Sequence, residues 1–205
     1  MVALHDSEEQ QVEAIKDWWK ENGKAVILGG VIGLGSILGW QYYQDSVIAA
    51  KEAASESYTV AIETLAEQGL EAAPVTQSFI EQNKETEYAA LAALQLARVQ
   101  VEAGELDNAL AQLSWVKSNT KDEAILPLVS YRTARIMGEK GELDAALGEL
   151  ASIKASSWSG RVAELKGDLL LRKGDTDGAY SAYTEAQQAG DASQSIQMKL
   201  DDLAR

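Results

Sequence analysis

Very few side chains in this sequence have the makings of a reaction. There is no cysteine, and a single histidine, His5, stands close to the first residue. A hydrolytic nucleophile needs a base beside it, and the one imidazole is cut off from most of the chain by a long apolar run. Thiol catalysis and cysteine-ligated zinc are ruled out for want of sulfur. Carboxylates are plentiful, but the Glu-Leu-Asp runs suit helix starts and Asp201-Asp202 suits a solvated face. Gly33-x-Gly35-x-x-x-Gly39 looks like a phosphate-cradling fingerprint; its spacing is one residue too long and no strand–turn–helix frames it. The sequence therefore predicts no catalytic residue, no cofactor and no metal. What remains is recognition chemistry. Asp and Glu number 32 against 18 Lys and Arg, a net charge of −14. Such a surface argues against nucleic acid as a partner, because phosphates need cations. Against that background Arg98, Arg135 and Arg161, with Tyr131, Glu164 and the apolar Leu94, Val101 and Leu128, are the candidates for binding a protein partner. The competing reading for the arginines is ordinary ion pairing, for example Arg98 with Glu102 one turn on.

Those candidates are far apart in sequence, so a repeating scaffold must gather them. Gly104-Glu-Leu-Asp-Asn-Ala109, Gly141-Glu-Leu-Asp-Ala-Ala146 and Gly174-Asp-Thr-Asp-Gly-Ala179 share one pattern, and their glycines stand 37 and then 33 residues apart. A period near 34 residues marks helix–turn–helix repeats of the tetratricopeptide kind. In each, the glycine ends one helix and the acids sit at the start of the next. The alanine lies where the two helices cross, and Leu113, Leu150 or Tyr183 follows one turn later on the same face. Aligning the repeats puts Arg98, Arg135 and Asp168 at one register position on the first helix of each pair, the helix that lines the concave face of such a stack. Upstream, 46–68 reads as a helix broken by Gly69 and Pro74, then 75–82 as a short helix with Phe79 and Ile80 buried. Downstream, 195–204 reads as a helix capping the stack.

The apolar run is a different object. Ala25 to Gln44 is 20 residues without a charge, flanked by Trp18 and Trp19 before it and Trp40, Tyr42 and Tyr43 at its end. Twenty helical residues span about 30 Å, the thickness of a hydrocarbon core, and aromatic residues favour its interfaces. The sequence thus predicts an all-α protein: a single N-terminal transmembrane helix followed by a short tetratricopeptide-like α-solenoid. The expected parts are 1–23, 24–44 and 45–205. In the first, Val12, Ile15 and Trp19 form the apolar stripe of a surface helix that Asn22-Gly23 is expected to stop. Lys16, Lys20 and Lys24 precede the span and only Lys51 follows closely, which predicts a cytoplasmic amino end. Gly29, Gly33, Gly35 and Gly39 form two small-x-x-x-small pairs suited to close packing against another membrane helix.

Three stretches resemble one family. Gln11-Val12-Glu13-Ala14-Ile15-Lys16, with Glu21-Asn22-Gly23-Lys24-Ala25 and the span ending Gly39-Trp40, is similar to the opening of the ancillary SecYEG translocon subunits of the YfgM type. Glu81-Gln82-Asn83-Lys84 followed by Tyr88-Ala89-Ala90-Leu91-Ala92 resembles that family's junction into its repeats, and Met198-Lys199-Leu200 is similar as well. The resemblance implies a bacterial inner-membrane protein with a periplasmic repeat domain. It implies association with the SecYEG channel, with a periplasmic chaperone of the PpiD type, with unfolded clients and with membrane lipid, and no enzymatic activity. A membrane-anchored repeat scaffold for another cell-envelope complex is the alternative expectation.

Overall fold

A computed structural model describes residues 3–191 and 193–203, with side chains from residue 11 onward. The side chain of His5 and the last expected helical residue, Ala204, lie outside the described residues. Among the described residues the chain is all-helical: α1 (Ala3–Gln68), α2 (Ala73–Gln82), α3 (Glu87–Glu102), α4 (Leu106–Asn119), α5 (Leu126–Glu139), α6 (Leu143–Ala151), α7 (Ser159–Lys173), α8 (Thr176–Gln188) and α9 (Ile196–Leu203). Two compact units divide after Ala53, within α1.

The first unit is helical throughout its described length, so Asn22-Gly23 does not stop a helix there. The local packing explains the difference. The Asn22 amide donates back to the Trp18 carbonyl at 3.1 Å instead of bonding its own backbone. Gly23 is buried under the Trp19 indole, whose nearest ring atom would stand 3.2 Å from an added Cβ. The glycine therefore makes room for a tryptophan inside a helix. The apolar window of this helix is only 6% buried within the chain. A core helix of a soluble domain would bury such a surface; this one leaves it exposed within the chain, and it is long and apolar enough to cross a membrane.

The second unit is a stack of helical hairpins, α3 with α4, α5 with α6 and α7 with α8. The sequence repeat is also a hydrogen-bond repeat. Glu105, Glu142 and Asp175 donate backbone N–H groups to Gln100, Met137 and Leu170, five residues back, at 2.8–2.9 Å. Gly104, Gly141 and Gly174 donate to the carbonyls three residues back, each at 3.0 Å. This is the double bond of a helix end closed by a left-handed residue, and those glycines have φ of 80, 81 and 88°. The crossing alanines Ala109, Ala146 and Ala179 are fully buried, with Leu113, Leu150 and Tyr183 beside them in the core. Pro74 and Pro127 open α2 and α5 in the first turn, where a missing N–H costs nothing. Residues 54–68 of α1 and α2 make the degenerate first hairpin: Tyr58 lies against Phe79 and Tyr88, over a core that includes Leu65 and Ile80. At the far end α9 seals α8 with Ile196 and Leu200.

The repeats also carry a charge ladder. Asp107 in the first turn of α4 pairs with Lys140 of the next hairpin at 2.7 Å, and Asp144 in α6 pairs with Lys173 of the one after. Only in the third repeat does a side chain cap the second helix in the ordinary way, Asp175 accepting from the Gly178 N–H at 2.9 Å.

Candidate protein-docking face

The first helices of the hairpins, α3, α5 and α7, present the expected face, but they do so unevenly. Arg98, Val101 and Arg135 come together with Arg132 in a groove of about 290 Å³ between α3 and α5, floored by Ala97, Leu113 and Ile136. Leu94 is not part of this surface; it is 6% exposed and belongs to the core. One turn of α3 separates it from Arg98, and the helix has rotated it inward. A second groove, between α5 and α7, is lined by Arg135, Glu139, Asp168, Leu171 and Arg172, with Tyr183 at its base.

The charges of the two grooves differ. Arg98 donates to Glu102 at 2.8 Å, the local pairing that the i, i+4 spacing allows. Arg172 holds Glu139 with both guanidinium nitrogens, each at 3.2 Å. Both acids at the first groove are thus engaged. Among the described residues no ion pair or side-chain hydrogen bond reaches Arg132 or Arg135. Burial pushes the Arg132 guanidinium below its ordinary value, and the neighbouring Arg135 and Arg98 push it further the same way. These are the signs of a cation held without an anion.

Toward α9 the charges of α7 that face it, Glu164 and Asp168, are matched. Lys199 donates to Asp168 at 2.7 Å and pairs with Glu164 at 2.9 Å. Tyr183 Oη donates to the same Asp168 carboxylate at 2.7 Å, and Ser193 donates to Glu164 through backbone and hydroxyl. Burial alone would raise the Glu164 carboxyl, but the bonds from Ser193 and Lys199 outweigh it and hold it below the ordinary value. Burial and the bond to Asp168 together push the Tyr183 hydroxyl far above its usual range. Arg161 lies over the Trp158 ring at 4.5 Å and within 3.6 Å of Asp191, and Trp158 in turn packs against Tyr131 at 5.5 Å. Leu128 is half-buried at the start of α5. The eight candidates of this face therefore divide: Arg98, Val101 and Arg135 line the α3–α5 groove, Leu94 is core, Leu128 is half-buried and lines neither groove, and Tyr131, Arg161 and Glu164 are already engaged within the chain.

Sequence reasoning missed Arg132, although its spacing of three from Arg135 places it on the same side of α5. It also missed Lys199, whose partners lie 31 residues or more away in sequence. No local pattern signals that contact.

In the first unit, a Cβ added at Gly29, Gly33, Gly35 or Gly39 would meet nothing within 4 Å. Nothing inside the chain requires glycine there. At 3.6 residues per turn, the pair Gly29 and Gly33 and the pair Gly35 and Gly39 point to different sides of α1, about 120° apart.

A family model described as a tetratricopeptide repeat-like domain matches residues 16–205. Among curated proteins the chain is similar to the ancillary SecYEG translocon subunit of Escherichia coli (strain K12), 37% identical over 207 residues that cover 99% of this chain and 100% of that one. It is also similar to the protein of the same name from Haemophilus influenzae, 33% identical over 204 residues, covering 98% of this chain and 100% of the relative. Among solved structures it resembles a MamA RS-1 ArsTM double mutant, with a TM-score of 0.59 at 14% identity, covering 73% of this chain and 82% of that one. It resembles a tetratricopeptide repeat protein from Parabacteroides merdae with a TM-score of 0.58 at 15% identity, covering 73% of this chain and 60% of the other. At such identities the two structures speak to the fold alone.

Proposed function

The chain belongs to the family of ancillary SecYEG translocon subunits, built on a tetratricopeptide repeat-like domain, and from that premise we propose that it serves its own SecYEG channel as a non-enzymatic adaptor. The observation that carries this reading is the extent of the similarity, which covers 99% of the chain and so takes in the apolar helix as well as the repeats. The apolar part of α1 spans the bacterial inner membrane; its unburied surface supports that placement. Lysines 16, 20 and 24 keep the amino end in the cytoplasm, which puts the hairpin stack in the periplasm. There the stack links the channel to a periplasmic chaperone of the PpiD type and to newly translocated clients. No catalytic step is assigned to it. The boundaries proposed for the parts remain 1–23, 24–44 and 45–205.

The test is affinity purification of the intact chain from detergent-solubilised membranes. Channel subunits are expected in the eluate, together with a periplasmic chaperone. An eluate with neither overturns the proposal. Repeating the purification with Gly33→Leu and Gly35→Leu locates the contact: lost channel places it in the bilayer, retained channel places it in the repeats.

A further inference from the structure

We propose that the groove between α3 and α5 is a binding site for an extended, acidic polypeptide segment, whose carboxylates pair with Arg132 and Arg135 while an apolar side chain lies on the floor between them. This rests on the docking role proposed above and names the chemistry of the docked segment.

Three observations lead to it. The first is charge. The chain has a net charge of −14, yet this groove gathers Arg98, Arg132 and Arg135, and the two glutamates at its edge are held by Arg98 and Arg172. An excess of cation in an acid-rich domain is the complement of an anionic ligand. The second is the condition of the two free guanidiniums. Half-buried Arg132 has lost part of its hydration with nothing in exchange, and Arg135 and Arg98 both repel it. Such a group gains from a carboxylate more than an exposed arginine does, because part of the desolvation cost has already been met in the folded chain. The planar fork of arginine also favours a carboxylate over a point anion. The third is the floor. Ala97, Val101, Leu113 and Ile136 are apolar, and Val101 is 39% exposed. A free anion would leave that surface wet. A peptide covers it and brings the carboxylates along. The volume, about 290 Å³, suits one or two side chains and not a folded surface.

The experiment uses the full chain in detergent micelles. The probe is a fluorescein-labelled peptide Asp-Leu-Glu-Leu-Asp, compared with its amide twin Asn-Leu-Gln-Leu-Asn. Binding is followed by anisotropy at low and at physiological salt. The acidic probe is expected to bind at least tenfold more tightly than the twin and to weaken with salt. Arg132→Gln with Arg135→Gln is expected to abolish that preference, and Lys117→Gln, whose partner is Glu149 on α6, to leave it within twofold. Equal affinity for the two peptides, or affinity unchanged in the arginine double variant, overturns the proposal. So does absence of peptide binding, including the case where phosphatidylglycerol vesicles bind through the same arginines. Failure here with the channel still recovered from membranes removes the groove proposal and leaves the adaptor role standing. Peptide binding without channel recovery does the reverse.

Discussion

The grooves on either side of α5 are made from the same repeat and have different chemistry. Arg98, Arg135 and Asp168 occupy one register position, and Val101 and Leu171 another. On the α3–α5 side Arg132, and Arg135 on the border with the other groove, have no ion-pair partner among the described residues and stand over an apolar floor. On the α5–α7 side Asp168 is met by Lys199 and by the Tyr183 hydroxyl, and Glu139 by Arg172. The helix that makes the difference is α9, which supplies Lys199. Register fixes where a side chain stands; whether its charge is free depends on what the chain packs next to it afterward. In this chain one part of the face keeps unpaired guanidiniums, and another part is completed by the capping helix.

The largest effect that should break this contrast involves Gly167. It corresponds in register to Ala97 and Ala134, and Tyr183 corresponds to Leu113 and Leu150. The third repeat has thus enlarged one residue and shrunk its neighbour, since a Cβ on Gly167 would run into the Tyr183 ring. Gly167→Ala is expected to cost about 2–3 kcal/mol by overpacking. Adding Tyr183→Leu, which restores the pattern of the other repeats, should recover at least half of it. Denaturant unfolding of the full chain in micelles, followed by circular dichroism, measures both.

Next is a pair of identical substitutions with opposite signs. Lys199→Met leaves Glu164, whose side chain is 12% exposed, and Asp168 without their cation, at a cost of about 2 kcal/mol. Arg132→Met removes a half-buried cation that has no partner and adds apolar contact, and it should stabilise by about 0.5 kcal/mol. The same unfolding assay decides; equal signs would mean that the two grooves do not differ in the way described.

Between those magnitudes lies a pH effect. The folded-state pKa of Glu164 is below its ordinary value of 4.5, so its contribution is complete at neutral pH and disappears as pH falls through that lowered value. Glu164→Gln should therefore be less stable than the parent by about 1 kcal/mol at pH 7, with the gap closing below pH 4.5. A gap that persists into acid would show that packing, not ionisation, accounts for the loss.

The smallest effect concerns the ladder. Asp107→Asn removes one exposed partner of Lys140, which keeps Glu142 at 2.8 Å, and should leave the unfolding midpoint nearly unchanged.

Much of the fold is legible in the sequence because each repeat writes its own local signals. The glycines at 104, 141 and 174 and the alanines five residues on are short-range requirements of a turn and a crossing, and they appear where the structure uses them. Asn22-Gly23 misleads because the same dipeptide that ends helices also makes room under an indole, and only Trp19 decides between the two. The candidate site is legible in part. Arg98 and Arg135 follow from register, but Leu94 turns inward one helical turn before Arg98. The partners of Glu164 and Asp168 come from a helix about 30 residues away, beyond the reach of any periodicity.

The most direct test of the account uses the register twins themselves. Val101 and Leu171 are 39% and 40% exposed, one in each groove. A photoreactive residue at each, in the full chain and in living cells, reports what docks there. The account predicts that Val101 crosslinks to an acidic segment of a translocon-associated protein and that Leu171 captures markedly less of it. Equal capture, or capture at Leu171 alone, would contradict it.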